Sequence, residues 1–232
     1  MRRPIVVGIV KWIKENSLAL AFLIMFLLAV GGQAVAGMLQ FNDQQVAQGA
    51  EPVSFLQYVA SSSFAVDVAE NWQSEYLQFF LFIMLTVWFV QRGSPESKKP
   101  DEAGAESEEQ QRIGRYAGDR SPAWAKARGA RLWLFSNSLG LVMGLIFLLS
   151  WLAQSVAGQA AYNSERLGDL RDPVSWWSYV TSPEFWSRSL QNWQSELLAV
   201  LSMVVLSIYL RQRGSPESKP VGAPHAATGV EG

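Results

Sequence analysis

Cysteine is absent and histidine nearly so, the single imidazole being His225 in a tail of Pro, Gly and Ala. The first absence removes disulfides, zinc–thiolate sites, iron–sulfur clusters and thiol nucleophiles at once, and it leaves the redox compartment open. The second argues against His-ligated haem, His-rich metal sites and a Ser–His pair. Positive charge is missing over a long stretch, with no Lys or Arg between Glu15 and Gln91. Net charge is −1 and no basic stripe with interleaved aromatics occurs, so no nucleic-acid partner is expected. There is also neither a nucleophile–base pair nor metal-ligand spacing. The sequence therefore predicts no catalytic residue, no metal, no cofactor and no enzyme.

What is present is a chain written twice. Shifted by 121 residues, Asn16 to Lys98 falls on Asn137 to Lys219 without a gap. Asn71-Trp72-Gln73-Ser74-Glu75 recurs as Asn192-Trp193-Gln194-Ser195-Glu196, and QRGSPESK at Gln91–Lys98 recurs at Gln212–Lys219. Each copy carries two apolar stretches, Leu18–Leu39 and Trp72–Val90 in the first, Leu132–Ala157 and Trp193–Leu210 in the second. At about 1.5 Å per residue, about 20 residues cross the roughly 30 Å hydrocarbon core, so four transmembrane helices are predicted. The overall mean hydropathy of +0.08 understates this because polar segments dilute the apolar blocks. Arg2, Arg3, Lys11 and Lys14 before the first block, with Ala34-Val35-Ala36 at its end, also resemble a secretory signal. The equivalent Gln154–Gly158 lies in an internal span, so a retained helix is the expectation.

Orientation follows from the basic residues. The N-terminal segment, the central linker and the C-terminal tail hold all of them except Arg166, Arg171 and Arg188. The termini and linker are thus predicted cytoplasmic and the two long loops exterior. An even number of spans per copy makes the copies parallel, related by a pseudo-twofold along the membrane normal rather than inverted.

The expected organisation is a first two-span repeat with its basic N-terminal segment (1–98) and a partly disordered cytoplasmic linker (99–131). A second two-span repeat (132–219) and a disordered tail (220–232) complete it. Trp12 and Trp133 start the odd spans and Trp72 and Trp193 the even ones, where indoles anchor in headgroups. The matched segments Pro52–Val59 and Pro173–Val180 suit short helices in the outer interface, and Phe64, Phe185 and Trp186 extend that aromatic belt. Stacking of a sugar or quinone on these rings is the alternative to lipid anchoring.

Three matched constellations could carry chemistry. In NWQSE, Asn71 and Glu75 share a helix face, as do Asn192 and Glu196. Helix capping explains Asn and Trp, but it leaves the identity of Gln73 and Ser74 unexplained. Gln33 and Gln154, each in QxVAG, need partners at depth. Gln33, Asn71, Glu75, Gln154, Asn192 and Glu196 are therefore predicted to meet in one polar cluster, structural or ion-binding, with Ala34, Ala36 and Gly37 allowing helices to approach closely. QRGSPESK reads as a helix stop, with Arg, Gly and then Pro. Cytoplasmic recognition, or a kinase acting at Ser94 and Ser215, is the alternative.

The paired NWQSE and QRGSPESK blocks, with NSL opening each first span, resemble an uncharacterised family of bacterial cytoplasmic-membrane proteins known as a domain of unknown function. The resemblance implies an inner-membrane location and adds no substrate or activity. The sequence-level reading is an all-α integral membrane protein: four transmembrane helices as two tandem parallel hairpins with short outer interfacial helices. Its partners are the lipid bilayer and a second copy or another membrane protein. Its role is non-enzymatic, in structure, stress response or partner assembly. The competing reading is a small cation or proton channel or carrier that uses Glu75 and Glu196.

Overall fold

The computed structural model describes residues 3–230. Among these there are eight α-helices and no strand. They are α1 (Arg3–Glu15), α2 (Ser17–Ala47), α3 (Phe55–Val59), α4 (Ser62–Leu85), α5 (Ala130–Ser136), α6 (Ser138–Gly168), α7 (Trp176–Val180) and α8 (Pro183–Tyr209). Three single 3-10 turns, Pro100–Glu102, Gly114–Tyr116 and Ala123–Lys126, lie in the linker. The chain forms two compact units, Met1–Ala65 with Ala160–Pro173, and Val66–Gln159 with Val174–Gly232.

Two helices, α2 and α6, each of 31 residues, are long and apolar enough to cross a membrane. Helices α4 and α8, of 24 and 27 residues, are long enough at about 1.5 Å per residue, but the polar NWQSE segments dilute them. Of α2, only Ala34 is buried, and Leu18 and Leu28 are each 71% exposed.

In the first unit, α1 and α2 meet at Asn16, whose amide donates back to the Trp12 carbonyl (2.8 Å). The Trp12 carbonyl thus accepts both the side-chain amide of Asn16 and its backbone N–H (3.0 Å). The loop between α2 and α3 is closed by Asn42, whose side chain accepts from the Val53 N–H (2.7 Å) and donates to its carbonyl (3.0 Å). Ser54 and Gln57 form a reciprocal capping box that starts α3. That short helix carries Tyr58 inward, 3% exposed, against Phe41 and Phe64 at ring separations of 5.6 Å.

In the second unit the same devices recur at the 121-residue offset. Asn137 donates to the Trp133 carbonyl (2.8 Å), Ser175 caps α7, and Tyr179, 1% exposed, packs 5.6 Å from Phe185. Ser182 caps α8, with Pro183 in the first turn. Gly140 and Gly144 on α6 face Met84 and Phe80 on α4. A side chain at either glycine would press on those residues, so the pair sets how closely the helices pack.

The small residue of QxVAG has a different use from the one its composition suggested. Tyr58 lies over Gly37 and Tyr179 over Gly158, so that a Cβ at either glycine would overlap the phenol hydroxyl. Close approach there serves the tyrosine of a short helix. The helical end of the second stretch also differs from expectation: α4 stops at Leu85 rather than running to Val90. The Thr86 hydroxyl donates to the carbonyls of Phe82 (2.7 Å) and Ile83 (3.2 Å), and a turn follows.

Gly158→Ala should lower stability by about 1–3 kcal/mol through overpacking, and Gly37→Ala should behave alike. Adding Tyr179→Phe to Gly158→Ala should restore part of the loss in a thermal melt. Gly31→Ala, whose added methyl meets nothing, should leave the melt unchanged.

Candidate functional site

The second unit contains a polar interior. Gln73 on α4 and Gln154 on α6 are fully buried, as is Ser189 on α8, with Ser74 and Ser155 nearly so. The Trp193 indole donates to Gln73 Oε1 (2.7 Å), and Gln154 Nε2 donates to Ser189 Oγ (3.4 Å). The Trp176 indole donates to Ser155 Oγ (3.1 Å). Gln73 Nε2, Gln154 Oε1 and the Trp151 indole nitrogen are buried without a hydrogen-bond partner. Around them Phe147, Trp151, Phe185, Trp186 and Trp193 stack, Trp151 standing 5.8 to 6.0 Å from each of the other four.

The six residues expected to form one polar cluster are distributed otherwise. Gln154 is in this interior. Asn71 and Asn192 turn back on their own helices, donating to the carbonyls of Asp67 (2.7 Å) and Arg188 (3.2 Å). Glu75 is exposed and Glu196 half-buried, each within reach of the other's charge. Gln33 lies half-buried on α2 in the other unit. The four tryptophans also divide: Trp12, Trp72 and Trp133 are exposed, while Trp193 is half-buried and bonded to Gln73.

Residues Gln73 and Ser189 were missed, although the sequence carried a signal for them. Val66, Ala69 and Gln73 form one buried stripe at helical spacing, as do Phe185, Ser189 and the half-buried Trp193. Gln73 thus belongs to the stripe begun by small apolar residues, and Asn71 and Glu75 to another face.

Helices α4 and α8 meet through counterpart positions. Asp67 and Arg188 stand at the 121-residue offset and bond each other, Arg188 Nη2 donating to Asp67 Oδ1 (3.1 Å) and Nε to Glu70 Oε2 (2.7 Å). The bond to Glu70 raises the Arg188 pKa further. Burial pushes the Asp67 carboxyl above its usual value, and the charge of Arg188 opposes that shift. Glu75 and Glu196 are counterparts as well. Farther along this seam a cavity of about 310 Å³ is lined by four counterpart pairs: Gln78 with Ala199, Phe79 with Val200, Phe82 with Met203, and Glu96 with Glu217.

The two QRGSPESK segments fold into the same loop. Gly93 and Gly214 take positive φ of 90° and 84°. The Gln91 N–H donates to Ser97 Oγ (2.7 Å) and the Gln212 N–H to Ser218 Oγ (2.9 Å). Ser94 Oγ accepts from the Glu96 N–H and Ser215 Oγ from the Glu217 N–H, each at 3.2 Å. Lys98 Nζ donates to the carbonyl six residues on, Gly104 (3.0 Å), and Lys219 Nζ likewise to His225 (2.9 Å). Lys219 also donates to the carbonyls of Gly93 (2.6 Å), Ala227 (3.2 Å) and Pro224 (3.4 Å), and burial followed by the charge of Arg211 lowers its pKa.

Gly, both serines and Lys thus have structural tasks, which accounts for four of the octapeptide's eight identities. The tail, expected to be disordered, instead lies on the first loop: Gly93 N–H donates to Thr228 Oγ1 and Gly229 N–H to the Ser94 carbonyl. Ser94 is fully buried, which removes it as an accessible kinase target. At the end of α8 the helix stop is supplied by Arg211, just before the octapeptide, donating to the carbonyls of Ser207, Ile208 and Leu210.

The sequence matches the model of a family described as a domain of unknown function (DUF6766) over residues 9–230. The chain belongs to that family. No curated protein and no solved structure matches it. The match spans both units and so includes the polar interior, the α4–α8 seam and both loops. Among the described residues no group of three or more His, Cys, Asp or Glu could hold a metal ion.

Trp193→Phe should destabilise the protein by about 1–3 kcal/mol, because it leaves the buried Gln73 oxygen without a donor. Combining it with Gln73→Leu should recover most of that loss in denaturant unfolding. Simple additivity of the two substitutions would show that the indole–amide bond carries no coupling.

Proposed function

We propose that the protein is a non-enzymatic, multi-pass membrane component of the bacterial cytoplasmic membrane. In this reading two parallel helix hairpins give four spans, and the termini and linker are cytoplasmic. One observation carries it: the described residues are arranged apolar outside and polar inside. Leu18, Leu28, Leu145 and Leu148 are more than half exposed, whereas Gln73, Gln154 and Ser189 are fully buried. In water that arrangement is costly, and in lipid it is the favourable one, because exposed apolar side chains then meet acyl chains. One polar atom of each interior amide, and the hydroxyls beside them, are engaged in indole, hydroxyl and backbone bonds, which supports a packing role for them. The protein's task, on this reading, is to organise or stabilise a membrane assembly.

The absence of cysteine makes the topology directly measurable. In intact cells with a permeable outer envelope, a membrane-impermeant maleimide should label Gln48→Cys. Gln110→Cys should react only after the inner membrane is opened. Labelling of Gln110→Cys from outside would overturn the orientation.

A second reading, a cation or proton carrier, is favoured by the α4–α8 seam. Glu75 and Glu196 are close enough to feel each other's charge, and the cavity lined by Glu96 and Glu217 lies farther along the same seam. Reconstituted vesicles under a proton or Na⁺ gradient test it. A carrier should dissipate the gradient and lose that activity in the Glu75→Gln, Glu196→Gln double variant. A scaffold should hold the gradient in both forms.

A further inference from the structure

The linker is divided by charge. Its first part, Asp101–Glu109, is acidic, and the lysines before it answer two of its acids: Glu102 pairs with Lys99 (3.3 Å) and Glu106 with Lys98 (2.9 Å). Its second part is basic and unanswered. Arg112, Arg115, Arg120, Lys126, Arg128 and Arg131 are all exposed, and among the described residues none of them pairs with a carboxylate. Asp119 is the only acid between Arg112 and Arg131, so this segment carries a large positive excess.

Unevenly spaced, these cations form no stripe along the sequence, yet the segment that carries them is folded. The turn Ala123–Lys126 packs on α5, and the turn Gly114–Tyr116 packs on Ala123–Lys126. Lys126 Nζ donates to the Asp119 carbonyl (3.0 Å), and the Arg115 guanidinium lies 4.7 Å from the centre of the Tyr116 ring. Tyr116, Trp124 and Trp133 are exposed on the same stretch of chain. Like charges held together on a folded segment repel one another, and an anionic surface brought against them relieves that repulsion.

We propose that the segment Arg112–Arg131 binds the headgroups of anionic phospholipid, an inference that rests on the multi-pass reading above. Arg131 immediately precedes the apolar block Leu132–Ala157, which keeps the cations beside a span. Clusters of about four to eight Lys or Arg in that position are drawn to an anionic leaflet. Exposed indoles suit the same place, because they favour the headgroup layer. A nucleic acid would answer the charge but not its position beside a span.

The test uses the full chain in nanodiscs, with Ala123→Cys carrying a fluorophore and a phosphatidylcholine bearing a headgroup nitroxide as quencher. Discs of phosphatidylcholine alone are compared with discs that also contain phosphatidylglycerol. Quenching should be severalfold stronger in the anionic discs, and about 1 M salt should remove the difference. Replacing Arg112, Arg120, Arg128 and Arg131 together by Gln should abolish it, whereas replacing the same four by Lys should retain it, as should Lys99→Gln outside the segment. Circular dichroism of each variant separates lost binding from lost fold. Equal quenching in the two kinds of disc, a difference that salt leaves unchanged, or release of the label from the surface by duplex DNA at an equal phosphate concentration would overturn the proposal. A chain that fails to enter the disc would sink the multi-pass reading as well, an outcome distinct from entry without quenching.

Discussion

A polar side chain enclosed by apolar neighbours can find a partner only inside the fold, and this constraint organises the second unit. Gln73 and Gln154 are closed off from the surroundings, so their amides are held by whatever the adjacent helices present. Trp193 presents an indole N–H to one and Ser189 a hydroxyl to the other. Both partners lie on α8, so these two bonds fix where that helix can sit relative to α4 and α6. An indole or a hydroxyl displaced by one helical position would leave a desolvated amide, at a cost of several kcal/mol on apolar transfer scales of roughly 4–8 kcal/mol. The surrounding aromatic stack adds contact area, but it is far less selective about register.

Where helices related by an internal offset touch along their common axis, each position meets its own counterpart. Identical residues on such a seam would place like charges face to face. At Asp67 and Arg188 the two halves have diverged to opposite charges and bond each other, with Glu70 completing the pairing. At Glu75 and Glu196 they have not diverged, and the acids tolerate each other because one is exposed and the other half-buried. Of the arginines that the second half carries and the first lacks, Arg188 therefore stands where identity would have been unfavourable.

The apolar blocks of α2 and α6 were legible because they run uninterrupted by charge. The short helices α3 and α7 fall inside the matched segments Pro52–Val59 and Pro173–Val180, but each starts after a serine cap, Ser54 or Ser175, rather than at the proline. The site was read less well, since depth in a helix was used to choose partners where the azimuth decides them. Asn71 and Gln73 lie at nearly the same depth, yet the stripe containing Val66 and Ala69 takes Gln73 inward and Asn71 away. The end of α4 and the course of the tail were hidden for another reason. Their bonds are made largely to main-chain carbonyls, which every residue possesses, so composition holds no trace of them.

The lone imidazole illustrates how such bonds can be supplied. In the first half, the Gly104 peptide N–H donates to the Val87 carbonyl at 2.7 Å. In the second, His225 and Ile208 occupy the counterpart places, and the ring Nδ1 stands 3.0 Å from that carbonyl. A carbonyl can only accept, so Nδ1 must carry the hydrogen, as a surrogate for the missing peptide donor. The tautomer of the neutral ring is thereby fixed, with the lone pair on Nε2.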